Sequence, residues 1–292
     1  MRYRFRPFPF SSIANMHPFS TRQRRILPGF GLSMGYTVFY LSAIVLVPLS
    51  TIVISTFGIE PERFLAAVSS PRVLASYRLS LSSAFFAAIF DAGAGFLTAW
   101  TLTRYRFPGK RILDAFVDLP FALPTAVAGI CFATLYSPAA LPGQLLARFG
   151  IELANTQSGI VVALIFIGFP FVVRTVQPVI AELETEIEEA AQSLGATRWQ
   201  TFRKILFPHL FPALLTGVTL AFARSIGEYG SVIFIAGNLP FRTEIAPLMI
   251  MSKLDQFDYD GAAAVAFVLL LASFAMLLLL NGVQRWQQKA YR

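Results

Sequence analysis

The chain has 292 residues, 55% of them hydrophobic and 14% charged, with mean hydropathy +0.62 and a net charge of +8. Soluble domains carry roughly 25% charged residues, so a soluble enzyme, a disordered chain and a disulfide scaffold are excluded. With one cysteine, Cys131, and two histidines, His17 and His209, it has no internal disulfide and too few ligands for a His/Cys metal cage. The chain reads as an integral membrane protein.

Residues 1–30 form a tail rich in arginine, phenylalanine and serine, and no acid precedes Glu60. This tail reads as a cytoplasmic basic anchor; the alternative, an organelle transit peptide, shares its composition. A helix needs about 20 apolar residues to cross a bilayer, and the gaps between charges place the spans. Arg25 to Glu60 leaves 34 uncharged residues, and Arg78 to Arg104 leaves 25 that include only Asp91. Asp118 to Arg148 leaves 29, interrupted by Pro120, Pro124, Pro138 and Pro142, and Glu152 to Arg174 leaves 21. Lys204 to Arg224 leaves 19, continued apolar to Phe241 past Glu228, and Asp260 to Arg285 leaves 24. We therefore expect an all-α domain of six transmembrane helices over residues 31–285, followed by a short cytoplasmic tail, 286–292. The third and fifth helices are expected to be irregular. Prolines free backbone groups that lipid cannot satisfy, so these two should line protein or water.

Basic residues set the orientation. With the N-terminus inside, the cytoplasmic segments hold 17 of the 24 lysines and arginines, the outer loops six, and Arg224 lies in the membrane. Both termini are therefore expected in the cytoplasm. The net charge then reflects topology and attraction to anionic membrane lipid, and no nucleic-acid-binding module is present.

The longest polar interruption, residues 182–208, separates the fourth and fifth spans. It opens on Glu182, Glu184, Glu186, Glu188 and Glu189 and ends on Arg203, Lys204 and Pro208. Acids at a helix start and glycine just past its end predict two short helices around a corner at Gly195, with Thr197 capping the second. Ala190 and Ala191 present almost no side chain, which suits close packing in a groove of another protein. The spacing Glu189-Ala190-Ala191, Gly195, Ile205, Pro208 resembles the EAA loop of ATP-binding-cassette importer permeases, with Phe207 where that family usually has leucine. The resemblance implies that these six residues couple the membrane domain to a cytoplasmic ATPase. The chain has no G-x-x-x-x-G-K-[ST] loop. No catalytic residue, cofactor or metal is therefore expected on it; ATP and Mg would sit on the partner.

From Leu27 onward the likeness narrows. Leu27–Leu32, Asp118–Gly129, Pro170–Pro178, Phe222–Asn238 and Phe257–Tyr259 resemble the T (or U) type permease subunits of sulfate/thiosulfate importers. That resemblance implies the type I importer permease fold and a place in the bacterial inner membrane. It also implies a W-type sister permease, two cytoplasmic ATPase subunits and a periplasmic sulfate- or thiosulfate-binding protein. A permease for a related oxyanion, molybdate or tungstate, is one alternative. A stand-alone secondary anion transporter is another, which would leave the Glu-Ala-Ala loop without purpose.

Charges inside a membrane are costly and point to function. Arg224 and Glu228 are four apart on one helix face, beside Tyr229; with Asn238 and Thr125 they are the candidates for a substrate pathway. In one reading Arg224 meets the passing dianion with its guanidinium fork. In the other, Arg224 and Glu228 neutralise each other and hold the helix in register. Asp91, at mid-span, either pairs with Arg224 or sits protonated against hydroxyls. Neither an activated nucleophile nor a second acid accompanies it, which sets aside an intramembrane hydrolase.

Overall fold

A computed structural model describes residues 30–290, with the backbone alone at 280 and 283–290. The basic tail and residues 27–29 of the first resembling segment lie outside the described residues. Every regular element among the described residues is helical. The helices are α1 (Phe30–Phe57), α2 (Pro61–Val68), α3 (Pro71–Arg104), α4 (Lys110–Val117), α5 (Leu119–Ala122), α6 (Thr125–Leu135) and α7 (Leu141–Arg148). They continue as α8 (Gln157–Ala181), α9 (Thr185–Ser193), α10 (Arg198–Ile226), α11 (Gly230–Ala236), α12 (Ala246–Asp255) and α13 (Tyr259–Ala290). The chain forms two units, one ending at Thr51 and one starting at Ile52.

Among the described residues, five helices are long and apolar enough to cross a membrane: α1, α3, α8, α10 and α13. The expected third span takes another form. Pro120 and Pro124 stop any helix from running through, and the segment becomes α5 followed by the 11-residue apolar helix α6. The irregularity expected of the third span is therefore a break: of the six expected spans, five are full-length helices among the described residues and one is this interrupted segment.

In the larger unit, α8 is the most buried span and packs along both α3 and α10. Its start is fixed by Thr156, whose Oγ1 accepts the Gly159 N–H at 3.3 Å. Val172 of α8 sits between two glycines: a Cβ on Gly95 of α3 would come within 2.8 Å of its side chain, and one on Gly217 of α10 within 2.8 Å of its Cα. Small residues at this junction let the backbones approach closely, the usual device where lipid supplies no hydrophobic drive between helices. Around it Val172, Val173, Val176, Ala99, Leu210 and Ala221 form a buried cluster.

Two π turns have a common cause. Residues Ser42–Leu46 in α1 and Phe202–Leu206 in α10 each precede a proline by one residue, Pro48 and Pro208. Proline removes a donor and its ring crowds the carbonyl four residues back. In each case the residue before the proline reaches back five residues instead of four, Val47 N–H to Ser42 O and Phe207 N–H to Phe202 O.

Candidate functional site

The segment between α8 and α10 folds as an elbow. Glu186 and Glu188 lie in the first turn of α9, where negative charge complements the helix dipole. The helix ends in a Schellman arrangement: Ala196 N–H bonds Ala191 O at 3.0 Å and Gly195 N–H bonds Gln192 O at 2.9 Å. Gly195 takes φ +83°, the left-handed conformation that a Cβ disfavours. Thr197 and Gln200 then form a capping box, Thr197 N–H donating to Gln200 Oε1 at 2.8 Å and Gln200 N–H to Thr197 Oγ1 at 3.3 Å.

Two expectations about this loop change. The second helix does not stop before Pro208; the π turn carries it through into the membrane as α10. The two alanines part company as well: Ala190 is exposed, whereas Ala191 is buried within the chain. Glu189, Gly195 and Ile205 are exposed and Pro208 is half-buried. The most exposed apolar side chains on the elbow are Leu194 at 89% and Trp199 at 66%.

The elbow is tied to α3, and α4 and α5 are tied to α8. Arg104, the last residue of α3, donates to Glu188, and its guanidinium lies 5.5 Å from the Trp100 ring centre. Trp100 meets Phe202 edge-on at 5.6 Å, and Trp199 stacks on Phe202 at 5.7 Å. On α8, Arg174 forks to Asp118 (2.7 and 2.6 Å) and reaches Asp114 Oδ1 at 2.7 Å, fixing α4 and α5 to that span. Burial pushes the Asp114 carboxyl up, but hydrogen bonds from Arg174 and Gln177 and the charges of Arg174 and Lys110 outweigh it, so it titrates below the usual carboxylate range.

A second constellation surrounds the break between α10 and α11. Gly227 ends α10, and three residues later the chain turns helical again at Gly230. Glu228, 2% exposed, closes the gap: its Oε1 accepts the Ser231 N–H at 2.9 Å and the Ser231 hydroxyl at 3.1 Å, and its Oε2 lies 2.7 Å from Arg224. A buried carboxylate is tolerable only with such partners. The Arg224 side chain is 37% exposed, and its remaining N–H groups have no partner among the described residues.

Helix α6 packs against α11 at this break. A Cβ on Gly230 would stand 2.3 Å from Thr125 Oγ1, and one on Gly129 2.4 Å from the Ser231 carbonyl oxygen. Thr125 is thus brought to the start of α11, and Tyr229, half-buried, packs against the cluster around Phe222 and Ile226. Asn238 lies past the other end of α11, about 10 Å along the helix. Its Nδ2 donates to Ser252 at 3.4 Å, and Ser252 in turn bonds Glu244, which Arg72 grips with two 2.7 Å bonds. Asp91 matches neither expectation: Arg224 is engaged by Glu228, and Asp91 is fully buried with neither oxygen hydrogen-bonded. Gly168 makes room for it; a Cβ there would lie 2.3 Å from Asp91 Oδ2. Among the described residues no group of three or more His, Cys, Asp or Glu is placed to hold a metal.

Residues 91–292 match the family described as the binding-protein-dependent transport system inner membrane component. The chain is 50% identical to the sulfate transport system permease protein CysT of Escherichia coli (strain K12) over 266 residues, 91% of this chain and 96% of that one. It is 52% identical to the Salmonella typhimurium protein of the same name, covering 89% and 94% of the two chains. The Synechocystis sp. protein of that name is 44% identical over 87% of this chain and 88% of its own. This chain belongs to the binding-protein-dependent transport permeases.

Solved structures agree on the fold of this family. A bacterial ABC transporter involved in the import of alginate superposes with a TM-score of 0.73 at 16% identity, over 87% of this chain and 94% of that one. The inward-facing MetNI methionine ABC transporter gives 0.57 at 18% identity, over 74% and 96%. The chain therefore has the type I importer permease fold and is a membrane-spanning inner-membrane component. The family match begins at Asp91 and so contains both the elbow and the α10–α11 break. Sequence reasoning did not single out Leu194, Trp199 or the Arg104–Glu188 pair. The first two carried a signal: large apolar residues in an otherwise polar loop, beside a glycine corner.

Proposed function

We propose that this chain is a permease subunit of an ATP-driven importer that moves sulfate or thiosulfate into the cell. The observation that carries the reading is 50% identity, over 91% of the chain, to a protein named as a sulfate transport permease. A W-type sister permease completes the pathway, two cytoplasmic ATPase subunits bind ATP and Mg, and a periplasmic binding protein delivers the anion. Both termini and the elbow face the cytoplasm, in keeping with the distribution of lysine and arginine.

In this reading Glu189, Ala190, Gly195, Ile205 and Pro208 shape the surface that docks into the ATPase, while Ala191 anchors α9 to the chain beneath. Leu194 and Trp199 supply its apolar contact. Closure of the ATPases pushes on a unit already joined to α3 by Arg104 and continuous with α10, so the movement passes to the spans without a flexible linker. At the α10–α11 break, Arg224 offers its unpaired N–H groups to the anion. Glu228 and the Ser231 contacts hold that guanidinium in place, and the adjacent negative charge keeps the encounter weak enough for release.

Uptake of labelled sulfate into proteoliposomes containing the assembled complex tests the assignment. Accumulation should require ATP on the elbow side and be competed by unlabelled sulfate or thiosulfate. Uptake without ATP would favour a stand-alone transporter, and competition by molybdate or tungstate alone would reassign the substrate.

A further inference from the structure

A cavity of about 420 Å³ opens between α3, α4 and α8, near the end of α3 that carries Arg104. Leu97, Phe107, Leu113, Phe116, Val117 and Phe169 are among its lining residues. Leu97, Leu113 and Phe116 are exposed at its rim, so the cavity opens outward from the chain. In α4 the positions 113, 116 and 117 share one face, while Lys110 and Arg111 begin the helix just after the Pro108-Gly109 turn.

Arg106 and Arg111 are exposed, and neither has an ion-pair partner among the described residues. Lys110 donates to the Tyr105 carbonyl oxygen at 3.4 Å and feels the charge of Asp114. The nearby carboxylates are otherwise engaged, Glu188 by Arg104 and both Asp114 and Asp118 by Arg174. Arg106, next to Phe107, and Lys110, on the slot-facing side of α4, thus stand with little compensation beside an apolar slot just past the end of α3, whereas Arg111 lies on the opposite side of α4. A free anion would match the cations and leave the slot empty; a neutral lipid would fill the slot and leave the cations unmatched.

We propose that this site binds one anionic phospholipid of the cytoplasmic leaflet, an acyl chain in the cavity and its phosphate over Arg106 and Lys110. The proposal rests on the inward placement of residues 105–111 and is independent of the transported anion. Basic residues at a membrane surface attract such headgroups, each typically contributing about a fivefold gain in binding.

The test is native mass spectrometry of the assembled complex released from nanodiscs of phosphatidylcholine containing a minor fraction of phosphatidylglycerol. The native complex should retain a phosphatidylglycerol molecule in preference to phosphatidylcholine. The double variant Arg106→Gln/Lys110→Gln should bind it about twenty-five-fold more weakly. Leu113→Trp, which fills the slot and leaves every charge in place, should also lose it. Equal retention by the native and both variant complexes, or equal retention of the two lipids, would overturn the proposal. A nanodisc presents both leaflets, so this result stands apart from orientation. Impermeant thiol labelling of Arg106→Cys in a Cys131→Ser background tests that placement separately.

Discussion

Arg224 illustrates how two readings of one residue combine. The ion pair with Glu228 exists, as the i,i+4 spacing allowed, yet it engages only one nitrogen and leaves the rest of the fork available. Replacing Arg224 by glutamine should therefore lower sulfate uptake about ten- to a hundredfold, the range for losing hydrogen bonds to a charged group, with the complex still assembled by size-exclusion chromatography. Unchanged uptake would remove Arg224 from the pathway. The pair was legible from its i,i+4 spacing, although the shared helix face expected for it is not what forms: α10 ends at Ile226, and Glu228 folds back to Arg224 from the gap before α11. The contact of Thr125 with Gly230 was not, since hydropathy does not reveal which broken segment packs on which. Asp91 was legible as an anomaly but not as a geometry: nothing in its span indicates that Gly168 of another helix provides its space.

At the scale of elements, the proposed coupling elbow depends on Gly195. Its left-handed conformation costs most residues about 1–2 kcal/mol, but aspartate tolerates it better than others, and no atom lies within 4 Å of a Cβ there. Gly195→Asp should thus insert and fold, while its added charge on the docking surface abolishes ATP-driven uptake; retained uptake would refute the docking role. The Arg104–Glu188 pair should also couple elbow to span. A double-mutant cycle with Arg104→Ala and Glu188→Ala, read by thermal unfolding of the complex, should give an interaction of about 0.5–3 kcal/mol; additive effects would show that the link carries nothing. The corner, its cap and its dipole-matched acids were all legible in 182–208, because each is fixed by neighbours in sequence. The continuity of α10 was hidden by Pro208, which ordinarily marks a boundary but here follows a π turn through which the helix continues.

For the whole molecule, charge gaps located every full span, because the bilayer imposes one length on all of them. They were incomplete at α6, where Pro120 and Pro124 break the helix and the 11-residue remainder packs on α11 rather than crossing as one helix. The resulting scheme is a bundle of α3, α8 and α10 gathered on Val172, with the elbow at one end and the broken pair α6–α11 within it. Its central claim is mechanical: the elbow bears on a separate ATPase while that ATPase works. A photo-cross-linking residue in place of Leu194, in the assembled complex during ATP turnover, tests this most directly. The account predicts a covalent adduct with the ATPase subunit; no adduct in any nucleotide state, while sulfate uptake continues, would contradict it.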